Sequence, residues 1–329
     1  MSSPRCVWGR LTKNKAQDKA ATTYEQAVKL NPKLIAAVTK LAQLNAGPLQ
    51  NKDKALTYAK KARELAPADP QVAGILGKVA YDSGNFTWSY SLLQESVRQR
   101  ANDPSSLHNL AWAAYSLGKV NEARDAMQKV LTNNPDPTQA ADAKKFMALT
   151  ALEENPKELM AAEIDLQKEL RANPEYVPAL MAQAALHTQH GQAKSATEIY
   201  SDILHRWPDF APAQKRLATL YAQDPSKVAA AYDLATKARK TLPDDPELSE
   251  LLGRLSYEKK EYPRAIQLLQ ESARKRPLDA NSLFYLGMSQ LQSRQKAEAR
   301  GVLNQALVAG LQEPLATEAK RALADLQRE

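Results

Sequence analysis

The chain carries a single cysteine, Cys6, among 329 residues. An intrachain disulfide framework and a thiolate zinc cluster are therefore both excluded. No uninterrupted apolar run approaches the roughly 18 residues that a membrane-spanning helix requires, so the expectation is a soluble chain. Aromatic residues amount to only 6%. Alanine and leucine dominate the apolar set instead, a bias that favours helices packed at close range over strands. The opening MSSPRCVWGRL contains no apolar leader, which as it stands reads as a cytoplasmic protein.

Catalytic signatures are equally missing. There is no glycine-rich phosphate loop, no nucleophile elbow and no metal-ligand set with a third member. His187 and His190 are spaced to share a helix face but flank Gly191 at a turn, where solvated histidines are the simpler reading. The expectation is a protein that is not an enzyme and that holds no cofactor and no metal.

What the chain does have is periodicity. A column of small residues runs Ala20, Ala55, Ser89, Ala123, Ala162, Ala196, Ala231, Ala265 and Ala299, in steps of 34 or 35 with one step of 39. Twelve residues after each lies a second column, Pro32, Pro67, Ala101, Pro135, Pro174, Pro208, Pro243, Pro277 and Leu311. A third pairs a leucine with a small residue, as in Leu41-Ala42, Leu76-Gly77, Leu110-Ala111, Leu217-Ala218, Leu252-Gly253 and Leu286-Gly287, with Leu149-Thr150 and the polar Gln183-Ala184 completing it. Each column has a physical reason. A small residue beside the leucine lets helix A approach helix B, the column alanine sits where they are closest, and proline stops helix B.

A period of 34 residues with a Leu-Gly pair, an alanine and a terminal proline resembles the tetratricopeptide repeat. The match is fullest from Pro246 to Asp279, where Leu252, Gly253, Tyr257, Tyr262, Ala265, Leu269 and Pro277 all fall on the family pattern. The resemblance implies an all-α fold, a right-handed superhelical solenoid of helix-turn-helix units. It divides the chain into an irregular segment 1–14, a half repeat 15–34 consisting of helix B, and eight units over 35–313. These run 35–69, 70–103, 104–137, 138–176, 177–210, 211–245, 246–279 and 280–313, and a polar-backed capping helix follows over 314–329. The five residues added between Asp136 and Asp142 predict a jog in the array. At the front, either a longer parent array or a fold-back of Trp8 and Leu11 would cover Ala20, Tyr24 and Ala27.

In this family the A helices line a concave groove, with groove positions two before, two after and five after the column leucine. Those positions give Gly74, Lys78 and Tyr81, then His108, Trp112 and Tyr115, then Lys215, then Glu250, Arg254 and Tyr257, then Phe284, Met288 and Leu291. The candidate partner-binding residues are thus Lys78, Tyr81, His108, Trp112, Tyr115, Arg254, Tyr257, Phe284, Met288 and Leu291. The three tyrosines also suit packing between repeats, Phe284 to Leu291 also suit cover by the capping helix, and Trp112 with His108 is the leading pair. The chaperone-tail clamp of the family is not reproduced, because Thr219 replaces its asparagine and Glu250 opposes Lys215.

The function implied is a scaffold or adaptor that binds a peptide or helical segment of a protein partner. A net charge of +8 keeps open an alternative, electrostatic binding of nucleic acid or another acidic polymer. The cations, however, cluster in the last turns of helix B, where they offset the helix dipole. Relatives of this repeat style also serve in cell-envelope or polysaccharide export machinery, a third expectation that the missing leader opposes.

Overall fold

The computed structural model describes the backbone from Pro4 to Arg328 apart from Glu154, and the side chains of 16–327 apart from residues 154 and 156. Among these residues every regular element is helical. The chain divides into two compact units, one of residues 1–189 with 207–210, the other of 190–206 with 211–329.

In the first unit a long helix α1 (Pro4–Leu30) precedes the hairpins α2 (Ile35–Ala46) with α3 (Lys52–Leu65), α4 (Pro70–Asp82) with α5 (Phe86–Gln99), and α6 (Pro104–Ser116) with α7 (Val120–Thr132). Helices α8 (Pro137–Leu152), α9 (Pro156–Ala161), α10 (Glu163–Ala172) and α11 (Val177–Gln189) follow. The second unit holds α12 (Ala193–Arg206), α13 (Ala211–Tyr221), α14 (Val228–Thr241), α15 (Pro246–Glu258), α16 (Tyr262–Ala273), α17 (Ala280–Gln292), α18 (Lys296–Val308) and α19 (Leu315–Arg328).

The hairpins start where the local chemistry tells them to. Asp69, Asp103, Asp136 and Asp245 each precede a proline at the first helical position, and each carboxylate accepts backbone N–H bonds from the first turn. That pairing satisfies orphan donors and sets φ in advance. Between helices A and B the chain needs a left-handed residue. Gly84 supplies it at φ 81°, while Lys260, at the matching turn of a later repeat, is held at φ 62°.

Packing then follows the small-residue columns. A Cβ on Gly77 would stand 2.7 Å from Leu93 Cγ, and one on Gly253 only 2.6 Å from Leu269 Cγ. Helix A thus rests its glycine against a leucine of helix B, an approach that any side chain would prevent. The column residues Ala55, Ser89, Ala123, Ala196, Ala231, Ala265 and Ala299 are all buried. Around them lie Leu76, Leu93, Leu252 and Leu269, each contributing about 1.5–3 kcal/mol by leaving water.

Two sequence expectations change here. The segment 1–14, expected to be irregular, is helical from Pro4 onward and continuous with the helix B expected near residue 16. Proline is tolerated in a first turn and nothing proline-like interrupts the run to Leu30. The side chains of Trp8 and Leu11, whose fold-back was one of the two alternatives for covering this helix, lie outside the described residues. Tyr24 and Ala27 are half-buried.

The second change concerns the long step. Helix α8 is 16 residues where α4, α6 and α15 are 13, and Asp136-Pro137 opens it. The A helices end six residues after their column leucine, at Asp82, Ser116 and Glu258. Applied to Leu152, that rule makes Phe146, not Leu149, the column residue, and Phe146 is fully buried. Likewise Leu159, fourth in its helix and fully buried, holds the helix B position that the sequence assigned to Ala162. Ala162 is half-buried at the break between α9 and α10. The additions extend both helices of that hairpin instead of filling a loop.

The C-terminal helix α19 behaves as a cap. Ala316, Ala319, Ala322 and Leu326 are buried on one face, while Glu318, Arg321 and Asp325 are exposed.

Candidate functional site

Three successive A helices of the first unit, α4, α6 and α8, present their groove faces to a common space. Lys78, Tyr81, His108 and Trp112 border one cavity of about 540 Å³, together with Asn109, Tyr176 and Trp207. The volume lies within the range of a ligand pocket, and its wall mixes aromatic faces with a few polar tips, the composition such sites favour. A second cavity, of about 460 Å³, shares Lys78, Ser105 and Asn109 with the first and runs past Gly74 and Arg100.

Asp142 organises this wall from the next repeat. Its Oδ2 lies 2.7 Å from His108 Nε2 and accepts a hydrogen bond from Trp112 Nε1 at 3.2 Å. Burial pushes its carboxyl up, but the His108 hydrogen bond and charge, with the Tyr176 and Trp112 contacts, outweigh this and hold it below the ordinary 3.8. It is therefore ionised at neutral pH and only accepts, so His108 Nε2 carries the proton. Burial and the Asp142 charge push the Tyr176 phenol far up, leaving it neutral. Burial likewise pushes Tyr81 up to about 12.

The aromatic side of the wall is rigid. Trp112 packs edge-on against Phe146 at 5.3 Å, Tyr176 at 5.6 Å and Tyr115 at 6.3 Å. The indole thus packs against rings of the following repeat while it also lines the cavity. Tyr115 is fully buried, ringed by Phe146 and Phe210, and its hydroxyl donates to Glu153. It is a core residue and offers no groove contact.

The other expected groove residues lie in the second unit. Phe284 and Met288 are buried in one cluster with Ala316, Ala319 and Ala322 of α19, and Leu291 packs at its margin. These positions correspond to His108, Trp112 and Tyr115, but the capping helix covers them. Tyr257 stacks between Tyr262 and Tyr285, and burial pushes its phenol up to about 12. Arg254 donates to the Ala222 carbonyl, pairs with Glu258 at 3.2 Å and lies over Tyr285. Lys78 pairs with Asp82 at 2.9 Å within its own helix and stays half-exposed at the cavity rim.

Family models of the tetratricopeptide repeat match residues 104–137, 217–280 and 281–308. The chain carries tetratricopeptide repeats over these stretches. It is similar to the crystal structure of the P58(IPK) TPR domain at 15% identity and a TM-score of 0.38, over 89% of this chain and 97% of that one. It is also similar to a tetratricopeptide repeat protein from Parabacteroides merdae at 17% identity and a TM-score of 0.32, over 94% of this chain and all of the other. Among curated proteins nothing matches. Tetratricopeptide arrays are protein-interaction scaffolds, and this chain is of that general class.

Within these tetratricopeptide repeats several basic helix ends are paired along the array. Arg63 meets Glu95 at 2.7 Å, Arg239 meets Glu271 at 2.6 Å, and Lys275 meets Asp244 at 2.9 Å. Lys215, the residue nearest to a clamp lysine, is held by Asp245 at 2.6 Å and Glu247 at 2.9 Å. Among the described residues no group of three histidine, cysteine or acidic side chains is arranged to hold a metal ion, and no helix is long and apolar enough to cross a membrane.

Asp142, Tyr176 and Trp207 belong to the wall but were not among the expected residues. Asp142 fell inside what read as an insertion, although the Asp136-Pro137 start signal would have extended helix A over it. Tyr176 and Trp207 stand just outside helices, before Val177 and Pro208, where the groove periodicity does not reach.

Proposed function

We propose that this protein is an adaptor whose first unit binds a segment of a partner polypeptide in the groove of α4, α6 and α8. The observation that supports this reading is the cavity wall of Tyr81, His108, Trp112, Tyr176 and Trp207. Tyr81, Trp112 and Tyr176 are held by ring contacts and His108 by Asp142 before any ligand arrives. Preorganisation lowers the entropic cost of binding, and tryptophan and tyrosine are enriched among residues that dominate interfaces. The pairing of helix-end cations weighs against binding of nucleic acid, since a paired guanidinium releases few counterions from a phosphate chain.

The test is selection of a displayed random-peptide library on the full chain. Asn109→Arg, which fills the cavity mouth without touching the ring cluster, serves as the counter-screen. Recovered peptides that lose binding with Asn109→Arg and keep it at high salt support the groove. Failure to enrich any sequence, with salt-sensitive capture of a single-stranded oligonucleotide instead, sinks the adaptor reading.

A further inference from the structure

The repeat 70–103 and the repeat 246–279 share one constellation of donors but differ in the acids that face it. In the later repeat Glu250, fifth residue of α15, is buried. Its carboxylate accepts hydrogen bonds from Ser272 Oγ at 3.4 Å, from Ser282 Oγ and from Arg276 Nη2. Glu247 adds a second carboxylate 3.8 Å from Arg276.

The earlier repeat keeps the donors and lacks both acids. Ser96, Ser106 and Arg100 stand where Ser272, Ser282 and Arg276 stand, but the fifth residue of α4 is Gly74 and Gln71 replaces Glu247. A Cβ on Gly74 would lie 2.9 Å from Ser96 Oγ and 3.2 Å from Ser106 Oγ, so the two hydroxyls close in on Gly74 and must turn aside to face an incoming group. They bond to one another at 3.1 Å, and Arg100 is left with Asp103 at 2.9 Å. Gly74, Arg100 and Ser106 line the cavity of about 460 Å³ that continues into the groove.

We infer that the cavity beside Gly74 receives a carboxylate from the bound polypeptide, in the place that Glu250 fills for itself in the later repeat. Two hydroxyls and a guanidinium match a carboxylate's acceptors, and charge-assisted bonds of this kind are the stronger ones. Glu247 pairs with Lys215 at 2.9 Å, and Thr39 stands where Lys215 stands, so the loss that is left uncompensated is the one charge of Glu250, which an incoming carboxylate restores. The inference rests on the groove reading and names the chemistry of its ligand.

The experiment titrates the isotope-labelled full chain with three probes and follows the amide resonances of Gly74, Ser96 and Ser106. The probes are Ac-Gly-Glu-Gly-NH₂ with a side-chain carboxylate, Ac-Gly-Gly-Gly with a free C-terminal carboxylate, and the neutral Ac-Gly-Gln-Gly-NH₂. The expected result is that at least one carboxylate probe shifts these resonances and the neutral one does not. Which of the two shifts them tells an acidic side chain from a chain terminus. Gly74→Glu, which supplies the carboxylate internally, is expected to weaken that probe by at least about ten-fold. Arg100→Gln weakens it similarly should Gly74→Glu fail to fold. Equal shifts from the neutral probe, no shift at about 10 mM of either carboxylate, or undiminished binding by a folded Gly74→Glu would each overturn the proposal. Library peptides lost with Asn109→Arg but indifferent to Gly74→Glu would leave the groove standing and remove only this pocket.

Discussion

The Asp142 carboxylate lies 2.7 Å from His108 Nε2, joining the A helices of two consecutive repeats. The contact crosses from α6 to α8, so it couples repeat stacking to the geometry of the cavity wall. Asp142→Ala leaves the His108 and Trp112 N–H groups without their acceptor. It is expected to destabilise the chain by about 1–3 kcal/mol, measured by urea denaturation. Unchanged stability would show that water replaces the carboxylate freely.

The same contact has a pH signature. Because the folded carboxyl is held below its ordinary 3.8, its contribution is fully present above that value and is lost as pH falls through the lower, folded one. The stability gap between the parent and Asp142→Ala should therefore be full at neutral pH and shrink as the pH falls below 3.8. A gap that stayed constant into acid would contradict the assignment of an ionised, buried acceptor.

Two glycines inside helices give opposite outcomes when replaced. Gly77→Ala drives a methyl to 2.7 Å from Leu93 Cγ and should cost about 1–3 kcal/mol through overpacking. Gly301 has no atom within 4 Å of the added Cβ, so Gly301→Ala should stabilise by about 0.5–1 kcal/mol through helix propensity alone. Thermal melts of both variants check the pair, and a shift of the same sign in each would disprove the packing argument.

The cap decides the state of the second apolar stripe. Ala319 is fully buried against the cluster of Phe284 and Met288. Ala319→Arg should detach α19 and uncover that cluster, with increased binding of a hydrophobic dye and self-association on size-exclusion chromatography. A monomer with parental dye binding would mean that α19 is dispensable cover.

Much of this architecture was legible in the chain. The small-residue column marks where helices touch because only a hydrogen or methyl fits there, as at Gly253 against Leu269. Aspartate before proline marks helix starts because one supplies the cap and the other the φ. The column register departs from the structure between Asp136 and Ala172. Local spacing there favoured Leu149 and Ala162, while the start signal at Asp136-Pro137 and the burial of Phe146 and Leu159 point three residues earlier.

The groove was read less completely, and for a different reason. Trp112 and Met288 occupy the same position in their repeats, and spacing alone treats them alike. Trp112 borders the cavity of the groove, whereas Met288 is buried against α19 and reaches only a smaller cavity beside that helix. The sequence by itself determined the repeats, their helical hairpins and which A-helix positions share one face, because those depend on contacts within one or two periods. Only the tertiary structure decided which part of that surface is open and which polar groups serve it. Cover by a terminal helix, the bond from Asp142 to His108 and the donors left around Gly74 each join residues that no single period contains.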